Sequence, residues 1–394
     1  MSHTVFWLML AAVAAPLLAE IPVGVQIPVV VLEVLLGVVI GPHAFDLVRF
    51  EGFVQTMFGF AMAVTLFMAG MELDFERIRG RPLGLAVGGW LVSLGVGLTV
   101  VGLLHVVPRV HAPLMVTIAL CTTGLGVLIP IYRDGGQLDT PFGRLVLAAG
   151  TVGEVGPIIA MSLLLSQRYT TWQEAGYLLA FLLFIVAVAA VGMGVRPPRL
   201  VEFLARHMHA STQLPVRIAL LTLLGLLALA ENLGFEGLFG AFAAGMVVGL
   251  VTRGRSGEPM RAKIDAVAFG WFYPFFFVGT GIKFNLAAVT ADATAALLLP
   301  VFLLLFLLIR GAPVWLLYRS RIVAAQRLPF ALSSAVPSLS IVVVITEIGL
   351  HERVMSHDMA AAMIGASLLS VLVFPTLAGA MLSRQRAAHA TQPR

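Results

Sequence analysis

Apolar stretches long enough to cross a lipid bilayer recur along almost the whole chain, and no other feature narrows its possible folds so far. A hydrocarbon layer about 30 Å thick needs roughly 20 residues of helix at about 1.5 Å each. Read with a window of about 19 residues, the sequence holds thirteen such stretches, near 4–19, 24–41, 53–71, 83–107, 112–132, 143–166, 174–195, 213–230, 237–252, 264–282, 293–318, 327–346 and 358–382. They are too long and too many for the core of a soluble domain. In lipid each must satisfy its own backbone, which leaves an all-α, polytopic membrane protein. Only 11% of the 394 residues are charged, against about 25% in a soluble domain.

The basic residues test this count. With the N-terminus outside and the connections alternating, the inside loops and the C-terminal tail hold nineteen of the 25 Lys and Arg residues, from Arg77 to Arg394. The outside loops hold Arg49, Arg109, Arg168, Lys283 and Arg353, and Arg310 falls inside a span. This is the positive-inside pattern, and a missed span would scramble it. The net charge of +5 therefore reflects topology and not affinity for nucleic acid. The expected location is the plasma (inner) membrane, with the C-terminus cytoplasmic. The first apolar stretch lacks a basic leader, having only His3 ahead of Phe6, and reads as a retained span rather than a signal peptide. The short tail after Leu382 leads to the expectation of one transmembrane transporter domain over 1–394 without a soluble regulatory domain.

Catalytic and cofactor chemistry finds little purchase. Cys121 is the single cysteine, which excludes a disulfide framework and a multi-cysteine metal site. The histidines lie mostly at segment ends and loops, so no cofactor and no bound metal beyond a transported cation is expected. No H-E-x-x-H, G-x-S-x-G or G-x-x-x-x-G-K-[ST] motif occurs, so neither an intramembrane hydrolase nor an ATP-driven pump is indicated. Transport without an ATP site must draw on a gradient.

Two spans carry interruptions. The fifth reads Ile118-Ala-Leu-Cys-Thr-Thr-Gly-Leu-Gly-Val-Leu-Ile-Pro130, with Thr122, Thr123, Gly124 and Gly126 clustered. The twelfth reads Phe330-Ala-Leu-Ser-Ser-Ala-Val-Pro-Ser-Leu-Ser-Ile341, with Ser333, Ser334, Pro337 and Ser338. Unwound backbone at that depth is tolerated only where it is buried in protein or lines a wet cavity. The two spans cross in opposite directions, and paired interruptions in two halves of a chain point to a transporter's binding site. Close-packing Gly/Ser motifs are the plainer alternative for either one alone.

Three ionisable residues lie well inside spans: Glu33, Glu154 and Arg310. Glu154 sits near the middle of the sixth, where a carboxylate costs about 2.5–3.5 kcal/mol on insertion scales. Gly150, Gly153, Gly156 and Pro157 around it read as residues that open backbone and space. Burial and a nearby arginine pull a carboxylate's proton affinity in opposite directions, so Glu154 suits a site that proton and cation contest. Arg310 is its expected charge partner, and a purely structural ion pair is the competing reading. Glu33 reads as structural first, with an ion pathway as the alternative. Glu231 and Glu347 read as interfacial, and Glu72, Asp74 and Glu76 as a solvated hinge.

Five short motifs then acquire a common meaning: Pro28-Val-Val-Val-Leu-Glu-Val-Leu-Leu-Gly-Val-Val-Ile-Gly-Pro42, Phe67-Met-Ala-Gly-Met-Glu-Leu-Asp74, Leu238-Phe-Gly-Ala-Phe-Ala-Ala-Gly-Met246, Phe275-Phe-Phe-Val-Gly-Thr-Gly-Ile-Lys-Phe284 and Ile345-Thr-Glu-Ile-Gly349. In this order, over nearly the whole membrane chain, the sequence resembles the Kef-type monovalent cation:proton antiporters, a family of bacterial sodium/proton and potassium/proton exchangers. The resemblance implies the sodium/proton antiporter fold, with inverted repeats and two crossed discontinuous helices. It implies a homodimer in which a core, about 83–166 and 293–382, moves like an elevator against a scaffold, about 4–71 and 213–282, with 174–195 as linker helix. Glu154 takes the place of the family's ion-binding acid, and Thr122 and Thr123 match the polar residues of the first unwound segment.

The family usually has an aspartate there, preceded by Asp, Asn or Gln, whereas this chain has Gly153-Glu154. Losing the second acid implies electroneutral exchange of one cation, Na+ or K+, for one proton. Sodium- or proton-coupled transport of an organic anion, and a transport-inactive sensor subunit, are the alternatives the sequence leaves open.

Overall fold

The computed structural model describes residues 2–21, 27–72, 80–104, 112–134, 137, 140–165, 176, 212–233, 237–252, 257–284 and 293–390. Every regular element among them is helical. The helices are α1 (Ser2–Ala19), α2 (Val29–Ile40), α3 (Phe53–Glu72), α4 (Arg81–Leu104), α5 (Pro113–Leu120), α6 (Leu125–Asp134), α7 (Pro141–Leu165), α8 (Leu214–Asn232), α9 (Gly237–Val251), α10 (Glu258–Val267), α11 (Tyr273–Lys283), α12 (Ala293–Phe306), α13 (Ala312–Leu317), α14 (Ala324–Ser334), α15 (Leu339–His351) and α16 (His357–Ala390). Each expected span except the seventh contains a described helix, and the seventh, 174–195, lies outside the described residues apart from Gly176, as do Asp74 and Glu76. Among the described residues seven helices are long and apolar enough to cross a membrane.

Two π-helical turns join helices that would otherwise be continuous, Ala268–Phe272 between α10 and α11 and Leu307–Gly311 between α12 and α13. Each ends two positions before a proline, Pro274 or Pro313. Proline lacks the N–H that would close the preceding α-turn and clashes with its carbonyl, and a widened turn relieves both problems.

Internal contacts sort the chain into two compact units. The first comprises Met1–Val5, Phe50–Leu73 and Ile159–Gly279. Here α3 and α9 meet backbone to backbone. A Cβ on Gly70 would stand 2.9 Å from the Met246 nitrogen, and one on Gly249 would stand 2.9 Å from Met71 Cα. Small residues permit this approach, which gives dispersion contact without a hydrophobic drive between lipid-immersed helices. The described part of one sequence motif, Phe67–Glu72, and another, Leu238–Met246, thus share one helix interface. Phe58 stacks on Phe276, ring centroids 5.5 Å apart, in the same unit.

The second unit comprises Phe6–Arg49, Asp74–Ile158 and Thr280–Arg394. Its long α16 packs on α12, α14 and α15, while α4 packs on α5 and α13. The fifth and twelfth spans are both broken here, α5/α6 at Cys121–Gly124 and α14/α15 at Ala335–Ser338.

Candidate functional site

The breaks follow from local chemistry. Pro337 donates no hydrogen bond and disfavours helical backbone at Val336 before it, so α14 stops at Ser334. Gly124 ends the other gap because the two unwound segments touch there. Its N–H donates to the Val336 carbonyl at 2.9 Å, and a Cβ on it would lie 2.8 Å from the Pro337 oxygen. Only glycine fits between two stretches of backbone this close. Gly126, expected within the interruption, already belongs to α6.

One side chain fastens the crossing. Thr123 Oγ1 donates to the Ser334 carbonyl at 2.7 Å, and the Thr123 N–H donates to the Gly153 carbonyl at 2.9 Å. The same hydroxyl accepts from Arg310 Nε at 2.8 Å. Thr123 therefore ties α7, the end of α14 and the arginine together. Thr122, equally buried, donates its hydroxyl proton back to the Ala119 carbonyl at 2.8 Å. Ser333 donates to Pro329 at 2.7 Å, which leaves the Tyr132 hydroxyl as donor in its short bond to Ser333 Oγ.

Glu154 is 4% exposed and its Oε1 accepts the Leu125 N–H at 2.9 Å. Leu125 is the first residue of α6, so the carboxylate meets a donor that no carbonyl of its own helix can satisfy, at the positive end of that half-helix. Arg310, 1% exposed, sits in the π-turn. Besides Thr123 it donates from Nη2 to the Ala149 carbonyl at 2.6 Å. Its charge is thus linked through Thr123 to the carbonyl end of α14, where a cation is favoured.

The expected Glu154–Arg310 pair takes a different form. No ion pair within 4.0 Å joins the two among the described residues. They flank Gly153, at which a Cβ would stand 2.9 Å from Arg310 Nη2 and 2.6 Å from Thr123 Oγ1. The guanidinium is held by a hydroxyl and a carbonyl, so it stays placed without the carboxylate.

The glycines around Glu154 also act otherwise than expected. A Cβ on Gly150 would strike Leu125, one on Gly153 would meet Thr123, and one on Gly156 would stand 2.6 Å from Trp90. At a spacing of three they form one face of α7, and neighbouring side chains fill it instead of leaving open space. Trp90 then donates from Nε1 to the Cys121 carbonyl at 3.1 Å, at the end of α5.

Glu33 is buried on α2 and makes none of these bonds. Glu347 pairs with Lys283, both part-buried. The site members that no sequence pattern exposed are backbone groups, the Leu125 N–H and Ala149 carbonyl, and two aromatic donors, Trp90 and Tyr132. The i, i+3, i+6 glycines are the signal that could have found the packing face.

Comparison with known proteins gives this geometry a context. A family model described as "Sodium/hydrogen exchanger, transmembrane" matches residues 8–384. The chain is 26% identical over 375 residues to "Putative Na(+)/H(+) antiporter YjbQ" of Bacillus subtilis (strain 168), covering 89% of this chain and 58% of that protein. It is 25% identical over 283 residues to the Na(+)/H(+)-K(+) antiporter GerN of Bacillus cereus, covering 71% of each. The chain therefore spans little more than half the length of the first relative and most of the second. Among solved structures, the sodium proton antiporter MjNhaP1 from Methanocaldococcus jannaschii at pH 8 aligns with a TM-score of 0.62 at 16% identity, over 99% of this chain and 98% of that one. At that identity the likeness speaks for the fold, and the fold is the sodium/proton antiporter fold. The chain is a multi-pass membrane protein that belongs to the sodium/hydrogen exchanger family.

Proposed function

We propose that this protein exchanges a monovalent cation, Na+ or K+, for protons, with Glu154 as the group that either one occupies. The observation that carries the reading is the Glu154 carboxylate itself, buried beside two crossed broken helices with one oxygen on the Leu125 N–H. A carboxylate in that position can be neutralised by a proton or by a cation, and never favourably by nothing. Competition for one anionic group couples the two fluxes.

The Leu125 N–H at the start of α6 holds one oxygen of the carboxylate in place, and Arg310 is held close by through Thr123 and Ala149. The hydroxyl oxygen of Thr122 keeps lone pairs for a cation, since only its proton is committed to Ala119. Thr123 shares its oxygen with Arg310 and contributes chiefly by holding the crossing. One acid in the site, with Gly153 before it, supports electroneutral exchange. Alternating access would move a core, about 83–166 and 293–382, against a scaffold, about 4–71 and 213–282, within a homodimer in the plasma membrane.

Everted vesicles test the reading. Addition of Na+, K+ or Li+ is expected to collapse an imposed ΔpH with the wild-type protein. Glu154→Gln, expressed to the same level, is expected to lose the response. A wild-type protein silent to all three cations across the neutral and alkaline range would exclude exchange, and a fully active Glu154→Gln would exclude the shared site.

A further inference from the structure

Three buried polar atoms near the crossing have no hydrogen-bond partner among the described residues: Ser93 Oγ, Thr117 Oγ1 and Arg310 Nη1. Their residues are at most 1% exposed. Other buried hydroxyls, those of Thr65, Thr252, Thr346, Ser367 and Ser370, donate to a carbonyl one turn back on their own helix. That is the usual outlet for a mid-helix hydroxyl. Ser93 and Thr117 do not take it.

Packing lays α4, α5 and the π-turn that carries Arg310 along one seam. At Gly97 of α4 a Cβ would stand 2.7 Å from Thr117 Cγ2 and 3.2 Å from Ile309 Cγ2. At Gly89, two turns earlier, the nearest atoms are Tyr318 Cε2 at 3.7 Å and Val314 Cγ2 at 3.9 Å. Ser93 lies four residues from each glycine and so on the same face, at the level between Ile309 and Val314. Arg310 occupies that level. Trp90 reaches the Cys121 carbonyl, one turn beyond Thr117, which fixes α5 along the same seam. The Tyr318 hydroxyl, also buried and without a partner among the described residues, extends the line of polar atoms along α13.

Native proteins answer such orphaned polar groups with ordered water. We propose that Ser93, Thr117 and the Nη1 arm of Arg310 enclose a water-binding chamber, distinct from the Thr123–Ala149 edge that the guanidinium already uses. A water there accepts from Nη1 and exchanges hydrogen bonds with the two hydroxyls, all of which can donate or accept as needed. A neutral ligand suits the chamber because the other edge of the guanidinium is already held by the Thr123 hydroxyl and the Ala149 carbonyl. The chamber completes the anchoring of Arg310 without an ion pair. Arg310 then keeps its place and charge whether Glu154 holds a proton, a cation or neither. Ser93 and Thr117 are positioning residues, acting through Arg310. A fixed guanidinium also repels protons from a narrow water file, so the chamber hydrates the core without leaking protons through it.

Electron cryomicroscopy in lipid nanodiscs, joined to vesicle exchange, tests the chamber. Ordered density is expected within hydrogen-bond distance of all three atoms, lost in Ser93→Ala/Thr117→Val and retained in Thr117→Ser. The pH of half-maximal exchange is expected to move by about half a unit or more in the double variant, because removing water changes the local screening of Arg310. It should stay at the wild-type value in Thr117→Ser. The ionisable groups near Arg310 in this comparison are Cys121 and Tyr318, with Glu154 one residue beyond Gly153 in the chain, and all three are unchanged by the substitutions. A dry seam in a map that shows waters elsewhere in the core overturns the proposal, as does a wild-type pH profile in the double variant. The pH readout rests on the exchange reading. The map does not, so a protein without exchange activity would fail the former and still decide the latter.

Discussion

Thr123 is the residue on which most of the site converges, although its role could not be separated from that of Thr122 by composition alone. Its hydroxyl takes the Arg310 Nε–H and gives its proton to Ser334. Thr123→Val keeps the shape and leaves a buried guanidinium N–H and a carbonyl unsatisfied, each worth about 1–3 kcal/mol. Thermal unfolding in detergent is expected to show a clear loss of stability, and Thr122→Val a smaller one, since Thr122 bonds only within its own turn. Equal effects would remove Thr123 from the centre of the crossing. Glu154 was legible because a mid-span carboxylate is expensive wherever it stands. Its bond to Leu125 was not, because a backbone N–H carries no letter in the sequence.

At the scale of elements, prolines and glycines decide where helices stop and how near they come. Pro337 marks a real break, whereas Pro313 and Pro274 sit just after π-turns in helices that continue. The same residue type gives both outcomes, because the response depends on what packs beside it. Pro337 faces another unwound segment that offers Gly124 as a hydrogen-bonding partner. Gly124→Ala would place a methyl 2.8 Å from the Pro337 oxygen, a clash with backbone that no rotamer relieves. Overpacking of this kind costs about 1–3 kcal/mol, so the variant is expected to unfold at lower temperature and to exchange poorly. Gly59→Ala, with nothing within 4 Å of the added atom, is the matched control and should behave as wild type. The glycines around Glu154 were visible as a cluster. That they are contact points for Leu125, Thr123 and Trp90 depends on helices far off in sequence.

For the whole molecule the distribution of Lys and Arg predicts an orientation that can be measured directly. Cys121 is the single cysteine and is buried, out of reach of an aqueous maleimide, so the wild-type chain serves as the background. On it, Glu352→Cys should react with a membrane-impermeant maleimide from outside the cell, and Thr391→Cys only after the inner face is exposed, as in everted vesicles. The reverse pattern would invert the topology and with it the assignment of every loop. Twelve of the expected spans contain a described helix, because span length and apolarity are set by bilayer thickness and need no knowledge of neighbours.

The sequence by itself determined the membrane class, the helical character of the spans and the buried mid-span position of Glu154. Each of these follows from a local cost, apolar length or buried charge, that is paid whatever the rest of the chain does. Only the tertiary structure decided how the charges are held. Arg310 binds a threonine and a carbonyl instead of Glu154, and Glu154 caps a half-helix 29 residues back along the chain. A hydrogen bond depends on positions within a few tenths of an ångström, and those are set by helices packing together, which no single span can encode.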